Sequence, residues 1–379
     1  MVDADVICLD ADYTLIKYKL AEFFELQYKS LAKCVVKLGF SESLLNPPWL
    51  GDMNKYFFNG SLADLQTGYI LKLAEDNTIL RAYYGLDEVS QEQLIETYGN
   101  PPTYNLDHLE LVFEKEKHFM FITQFYAGGA FVFLSGIELN KRGLLEIGSF
   151  SNWGEKVYIA SNMNYDHSNN DLSEFYPEFF TNPGKYLIRQ SEEVKEELRN
   201  LRSSGKKIVL VTNSCHEYSE IVFQYEYGDD WMNFFDLVVS DAGKPQFYLR
   251  DEEFEILDKT HMKRGNHRAL MMLIGCQNYI FIGDHYVGDC IAPKSIARWN
   301  TAFLMEEIYY EKRIEGVASA SEIEESERCL ADSETVDYYE KWGSAFVDKG
   351  KRTYWWDHIL KHSSVISSNL LGCLKAIHR

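Results

Sequence analysis

The sequence predicts an α/β protein built on a doubly wound parallel sheet, with a second domain inserted near its start. Four short apolar runs, Val6-Ile7-Cys8-Leu9, Ile208-Val209-Leu210-Val211, Leu237-Val238-Val239 and Tyr279-Ile280-Phe281-Ile282, have the form of strands buried on both faces. Helix patterns alternate with the last three of them. A long tyrosine- and asparagine-rich stretch separates the first run from the rest.

Taken in order, the run at 6–9 opens the core, and polar residues begin where it ends, at Asp10-Ala11-Asp12-Tyr13-Thr14. The stretch that follows carries turn signals at Asn46-Pro47-Pro48, Asn100-Pro101-Pro102 and Asn182-Pro183-Gly184 and reads as the inserted domain. A helix starts at Ser191, sets Val194, Leu198 and Leu201 on one face, and stops at Gly205. The strand at 208–211 comes next, then a helix near 217–225, the strand at 237–239, a helix over 267–274, the strand at 279–282 and a helix after Asp289. Residues 306–340 hold 12 acids against 3 basic residues, which marks a solvated tract rather than core. The expected division is a core of 1–18 and 188–310, an inserted domain of 19–187, and an acidic linker with C-terminal extension over 311–379.

The length, 379 residues, exceeds a single domain at roughly 150 residues each. Apolar residues make up 46% and aromatics 15%, too much burial potential for a disordered chain. With 38 Lys plus Arg against 58 Asp plus Glu, the net charge of −20 is opposite to what a phosphate backbone or an anionic membrane attracts. Nucleic-acid polymers and membranes are therefore excluded as partners; homo-oligomerisation is left open. The start, MVDADVICLD, carries acids where a signal peptide carries cations, and no run approaches the ~20 apolar residues of a membrane span, so a cytoplasmic protein is expected. Seven cysteines without a C-x-x-C pair read as reduced thiols.

Ligands of such sheets gather at the carboxyl ends of the strands. There Asp10 and Asp12 offer one carboxylate to attack an electrophile and another to handle protons. Thr212-Asn213-Ser214 offers a hydroxyl and backbone N–H groups at a helix start, a setting that stabilises a phosphate oxygen. Lys244, in Asp241-Ala242-Gly243-Lys244-Pro245, offers a fixed positive charge. Asp284 and Asp289, in Gly283-Asp284-His285-Tyr286-Val287-Gly288-Asp289, are hard oxygen donors of the kind that suit Mg²⁺. Each cluster alone reads equally well as a cap or a turn. All four following a buried run in order is the stronger signal.

These four stretches, LDADYTL, LVTNS, the lysine of DAGKP, and IGDHYVGD, resemble the ordered motifs of the haloacid dehalogenase (HAD) superfamily. Within it they are similar to the cytosolic purine 5'-nucleotidase family and its branch of 5'-nucleotidase domain-containing proteins. Further likeness lies in Leu71-Lys72-Leu73-Ala74, Thr78 to Ala82, Phe175-Tyr176-Pro177-Glu178, Asn182 to Leu187 and Lys341-Trp342-Gly343-Ser344.

The resemblance implies a Rossmann-like core with a large inserted cap. It also implies a Mg²⁺-dependent phosphatase of the phosphomonoester-hydrolase class, a hydrolase acting on a nucleoside 5'-monophosphate or similar small phosphate ester. Asp10 would be the nucleophile that forms an aspartyl-phosphate, and Asp12 the general acid and base. Mg²⁺ would be held by the Asp10 carboxylate, the Asp12 main-chain carbonyl, Asp284 and, in support, Asp289. Thr212, the Asn213 amide, Ser214 and Lys244 would hold the substrate phosphoryl group. The purine family's F-N-L-P-type loop is replaced here by Gln124 to Ala130, so its base specificity does not carry over. A scaffold or regulatory protein with little turnover, and a phosphotransferase, stay open as other readings.

Overall fold

The computed structural model describes residues 3–106, 113–114, 117–168, 173–308, 311 and 339–378. The acidic tract falls largely outside the described residues, from 312 to 338. The chain divides into two compact units: Met1–Lys19 with Asn182–Thr335 and Ile359–Arg379, and Leu20–Thr181 with Val336–His358. No helix among the described residues is long and apolar enough to cross a membrane.

The first unit is α/β with a largely parallel sheet. Its strands are β1 (Val6–Leu9), β2 (Lys207–Val211), β3 (Leu237–Ser240), β4 (Phe254–Ile256), β5 (His261–Arg264), β6 (Tyr279–Gly283), β7 (Asn300–Leu304) and β8 (Val365–Ser367). They lie in the order β4-β5-β3-β2-β1-β6-β7-β8, and only β4 runs antiparallel to its neighbour. The helices include α1 (Glu192–Ser203), α2 (His216–Tyr227), α3 (His267–Ile274) and α4 (Leu370–His378). All four residues of β1 are fully buried, as continuous apolar strands in the middle of a parallel sheet require. In α1 the Ser191 hydroxyl caps Val194 N, and Val194, Leu198 and Leu201 form the buried face.

The apolar runs at 6–9, 208–211, 237–239 and 279–282 are all strands, but the sheet has four more. β4 and β5 escape the pattern because they are partly exposed and mix polar with apolar residues. β7 (Asn300–Leu304) begins on a polar residue, and β8 (Val365–Ser367) comes from the C-terminal stretch that the sequence sets apart as an extension. It joins the sheet by pairing Ala302 with Val365. The helix expected after Asp289 is instead a pair of π-helical segments, Tyr286–Ile291 and Pro293–Ala297, and the first already contains Asp289.

The insertion leaves and returns through a two-residue antiparallel ladder, Lys17 opposite Ile188 and Tyr18 opposite Leu187. Nearby, Gln190 Nε2 and the Tyr227 hydroxyl both donate to Leu15 O (3.1 and 3.3 Å), while Glu226 Oε2 accepts from Gln190 N (2.6 Å). The loop after β1 is thus tied to α2.

The second unit is built on a six-stranded antiparallel sheet, with Ser61–Asp64, Ile70–Leu73 and Ile79–Tyr84 among its strands. Helix Ala127–Lys141 is buried on every side through Leu139. Glycine permits this, since a Cβ on Gly136 would lie 2.1 Å from the Trp153 ring and one on Gly128 2.8 Å from Gln27 Cβ. Residues 339–358 belong here rather than to a free extension, because Lys72 is fully buried beneath them. Its ammonium donates to Ser344 O (2.7 Å) and to Asp348 Oδ2 (3.1 Å), and also to Trp342 O. Arg81 Nε completes the set at 2.7 Å from Asp348 Oδ2.

Removing one partner of a buried ion pair strands the other. Lys72→Met should therefore lower stability by about 3–5 kcal/mol, read as a fall in the urea-unfolding midpoint. Glu226 supplies a pH test. Burial raises its carboxyl pKa from 4.5 to about 7, so its contribution is fully present below about pH 4.5 and lost as pH rises through about 7. Glu226→Gln should narrow the stability gap between pH 5 and pH 8 by about 2–3 kcal/mol, measured by denaturation at both pH values.

Candidate functional site

Register decides which residues meet. Leu9 pairs with Leu210 on one side and with Ile282 on the other, so Asp10 stands level with Val211 and Gly283. Thr212 and Asp284 then begin one residue further along, at the same carboxyl edge. The strand order reverses at β1, with β2, β3 and β5 to one side and β6, β7 and β8 to the other. Ligands of open parallel sheets bind at such a reversal.

The loops are fixed to one another by backbone bonds. Asp10 N donates to Ile282 O (2.9 Å), Thr212 N to Val239 O (2.9 Å), Ala242 N to Thr212 O (2.9 Å) and Asp241 N to Ser214 O (2.9 Å). Tyr13, at φ +53°, turns the chain sharply after Asp12. Asn213 clamps the lysine loop, its Oδ1 accepting from Lys244 N (2.6 Å) and its Nδ2 donating to Lys244 O (3.0 Å).

All eight residues singled out by the sequence lie in the first unit on these loops. At their centre the buried Lys244 ammonium lies 2.9 Å from Asp10 Oδ1 and 2.7 Å from Asp289 Oδ1. It also sits 4.7 Å from the centroid of the Phe281 ring. Asp10 Oδ1 accepts in addition from Ala11 N (2.8 Å), and Asp289 Oδ2 from His285 N (3.1 Å). Oxygens of Asp10, Asp284 and Asp289 all lie within 4.8 Å of one another, a hard-donor set that suits a divalent cation.

Asp12 has a different environment. Ser214 Oγ donates to its Oδ2 (2.5 Å), and the Tyr18 hydroxyl donates to its Oδ1 while lying 2.8 Å from the Tyr218 hydroxyl. Burial, followed by the Asp10 charge, raises the Asp12 pKa to about 6. Asp284 keeps partial exposure, yet desolvation, then Asp10 and Asp289, push its carboxyl well above the usual range. Asp289 shifts the same way, through burial and then Asp10. Burial pulls Lys244 down, but Asp10 and Asp289 outweigh it and raise its pKa.

Two hydroxyls singled out by the sequence also have partners among the loops: Ser214 Oγ donates to Asp12, and the Thr212 hydroxyl accepts from Ser214 N (3.0 Å). Sequence reasoning missed Tyr18 and Tyr218. Neither stands in a strand-end cluster, and no local signal in the sequence points to them.

Comparison with known proteins gives a family model described as "5' nucleotidase family", which matches residues 1–337. The chain is 28% identical over 375 residues to "5'-nucleotidase domain-containing protein 1" of Bos taurus, covering 91% of this chain and 81% of that one. The Homo sapiens protein of the same name is 29% identical over 385 residues, covering 91% and 82%. "5'-nucleotidase domain-containing protein 2" of Homo sapiens is 23% identical over 355 residues, covering 82% and 62%.

The tightest steric constraint at the site is Gly283, where an added Cβ would lie 2.2 Å from Asp289 Oδ2 and 2.7 Å from Asp289 Cβ. Gly283→Ala should displace that carboxylate and destabilise by about 1–3 kcal/mol, whereas Gly288→Ala, whose Cβ meets Lys244 Cβ at 3.2 Å, should cost less. Thermal unfolding of the two variants side by side checks the ranking.

Proposed function

This chain belongs to the 5' nucleotidase family, and on that footing we propose that it is a Mg²⁺-dependent phosphomonoesterase with a HAD-type core, acting on a nucleoside 5'-monophosphate or a similar small phosphate ester. The observation that carries the reading is the pair of differently held aspartates, Asp10 bonded to Lys244 and Asp12 held by Ser214 and Tyr18. One carboxylate is set for attack and the other for proton transfer.

Asp10 Oδ1 is pinned by Ala11 N and Lys244, and Oδ2, which takes part in neither bond, would attack phosphorus. The bond from phosphorus to the ester oxygen breaks as that oxygen takes the Asp12 proton. Asp12 then removes a proton from water, whose oxygen attacks the aspartyl-phosphate, releasing inorganic phosphate and restoring Asp10. Lys244, the Thr212 hydroxyl and the Asn213 backbone N–H would stabilise the transferring oxygens. Tyr18 and Ser214 act as positioning residues that fix the Asp12 carboxylate.

Four aspartates against one lysine repel a dianionic ester, so the carboxylate set calls for a cation. Asp10, Asp284 and Asp289 fit Mg²⁺ by donor type and mutual distance, and together with the Asp12 main-chain carbonyl they would hold it. When bound, Mg²⁺ supplies positive charge to the carboxylates and the phosphoryl oxygens.

The test is a panel of nucleoside 5'-monophosphates and other small phosphate esters, assayed for phosphate release with Mg²⁺ and with EDTA. At least one ester should be hydrolysed in a chelator-sensitive way, and Asp10→Asn should lower kcat by at least about 10³-fold while keeping the fold. If no ester is turned over faster by the wild type than by Asp10→Asn, the protein is not this enzyme. Added nucleoside acceptors distinguish hydrolysis from phosphotransfer by product.

A further inference from the structure

A second cluster of donors lies on the other flank of the same sheet and has no part in the proposed reaction. His216 and Glu220 stand four residues apart on α2, which puts them on one face. His261 opens β5, where it pairs with Val238 of the adjoining strand and is almost fully buried. One ligand atom from each of the three comes within 4.8 Å of the others. The two imidazole rings are 4.6 Å apart between centroids.

The environment of the rings goes beyond simple packing. His261 Nε2 lies 3.0 Å from Ser240 Oγ, which orients the ring from β3, and the His261 backbone N donates to Asp258 Oδ1 (2.9 Å), which fixes the main chain at the start of β5. His216 Nδ1 is buried and has no hydrogen-bond partner. A buried polar atom left unsatisfied calls for a cause, and a bound ion is one.

We infer that His216, Glu220 and His261 form a binding site for a transition-metal dication of the Zn²⁺ type, separate from the carboxylate cluster. Two imidazoles and one carboxylate are a donor set that binds Zn²⁺ in four-coordinate geometry, with the last position left to water. Oxygen-only Asp10, Asp284 and Asp289 favour a harder ion, so donor chemistry sorts the two metals between the two sites. An ion here would join the first turn of α2 to β5. Because α2 follows directly on Thr212-Asn213-Ser214, the metal would brace one loop of the active site from behind. The site does not depend on the catalytic reading.

The experiment uses the full chain, stripped of metal and then held in saturating Mg²⁺ so that the carboxylate cluster is filled. Zn²⁺ titrated by calorimetry should bind at one equivalent per chain and raise the unfolding temperature. Co²⁺ should give visible absorption of an imidazole-ligated, low-coordinate site. His216→Gln and Glu220→Gln, both at half-buried positions, should keep the metal-free unfolding temperature, weaken Zn²⁺ binding at least about 10-fold and abolish the Co²⁺ spectrum. Asp284→Asn should leave that spectrum intact. Failure of Zn²⁺ to bind in the presence of Mg²⁺, binding unchanged in both Gln variants, or a Co²⁺ spectrum that disappears with Asp284→Asn would each overturn the inference.

Discussion

The contact on which the first unit depends is the Lys244 ammonium between Asp10 and Asp289. It joins the loop after β3 to the ends of β1 and β6, the two strands that meet where the sheet order reverses. Buried carboxylates are costly unless they are paired and hydrogen-bonded. Lysine supplies the charge, and backbone N–H groups of Ala11 and His285 supply the remaining bonds. Burial first, and then the unbalanced charge of Asp10, pushes Asp12, Asp284 and Asp289 towards protonation. A site in this condition holds a stored preference for cations.

That arrangement imposes conditions on its surroundings. Asp289 must pack onto the backbone of Gly283, and the turn carrying it is π-helical, a geometry that recurs at functional sites. The lysine loop is held by both ends of the Asn213 side chain. Ser214 and Tyr18 hold Asp12, while Lys244 and Ala11 N hold Asp10, so two aspartates only two residues apart have separate partners. Differences of this kind are how neighbouring carboxylates take on different chemical tasks.

The second unit repeats the principle without chemistry. Lys72 and Arg81 meet Asp348 from a segment more than 260 residues further along the chain. The stretches around Lys72 and around Lys341 to Ser344 stand out separately in the sequence as points of family likeness. In the fold they are one contact, Lys72 Nζ on the carbonyl oxygens of Trp342 and Ser344. That contact satisfies a buried ammonium.

The sequence by itself determined the strands buried on both faces and the eight polar residues after them, because apolar runs and strand-end clusters are local patterns. It determined the family for the same reason. Tertiary structure alone decided the partners. The Ser214 hydroxyl donates to Asp12, and Tyr18 and Tyr218, 200 residues apart, meet beside it. The outer strands β4, β5, β7 and β8 lacked the uninterrupted apolar signal, and the C-terminal stretch divides, with 339–358 packed into the second unit over a buried ion pair and Val365–Ser367 paired into the sheet of the first. Periodicity records which side chains leave water; which atoms they then meet depends on the register between strands distant in sequence, and no local pattern encodes that.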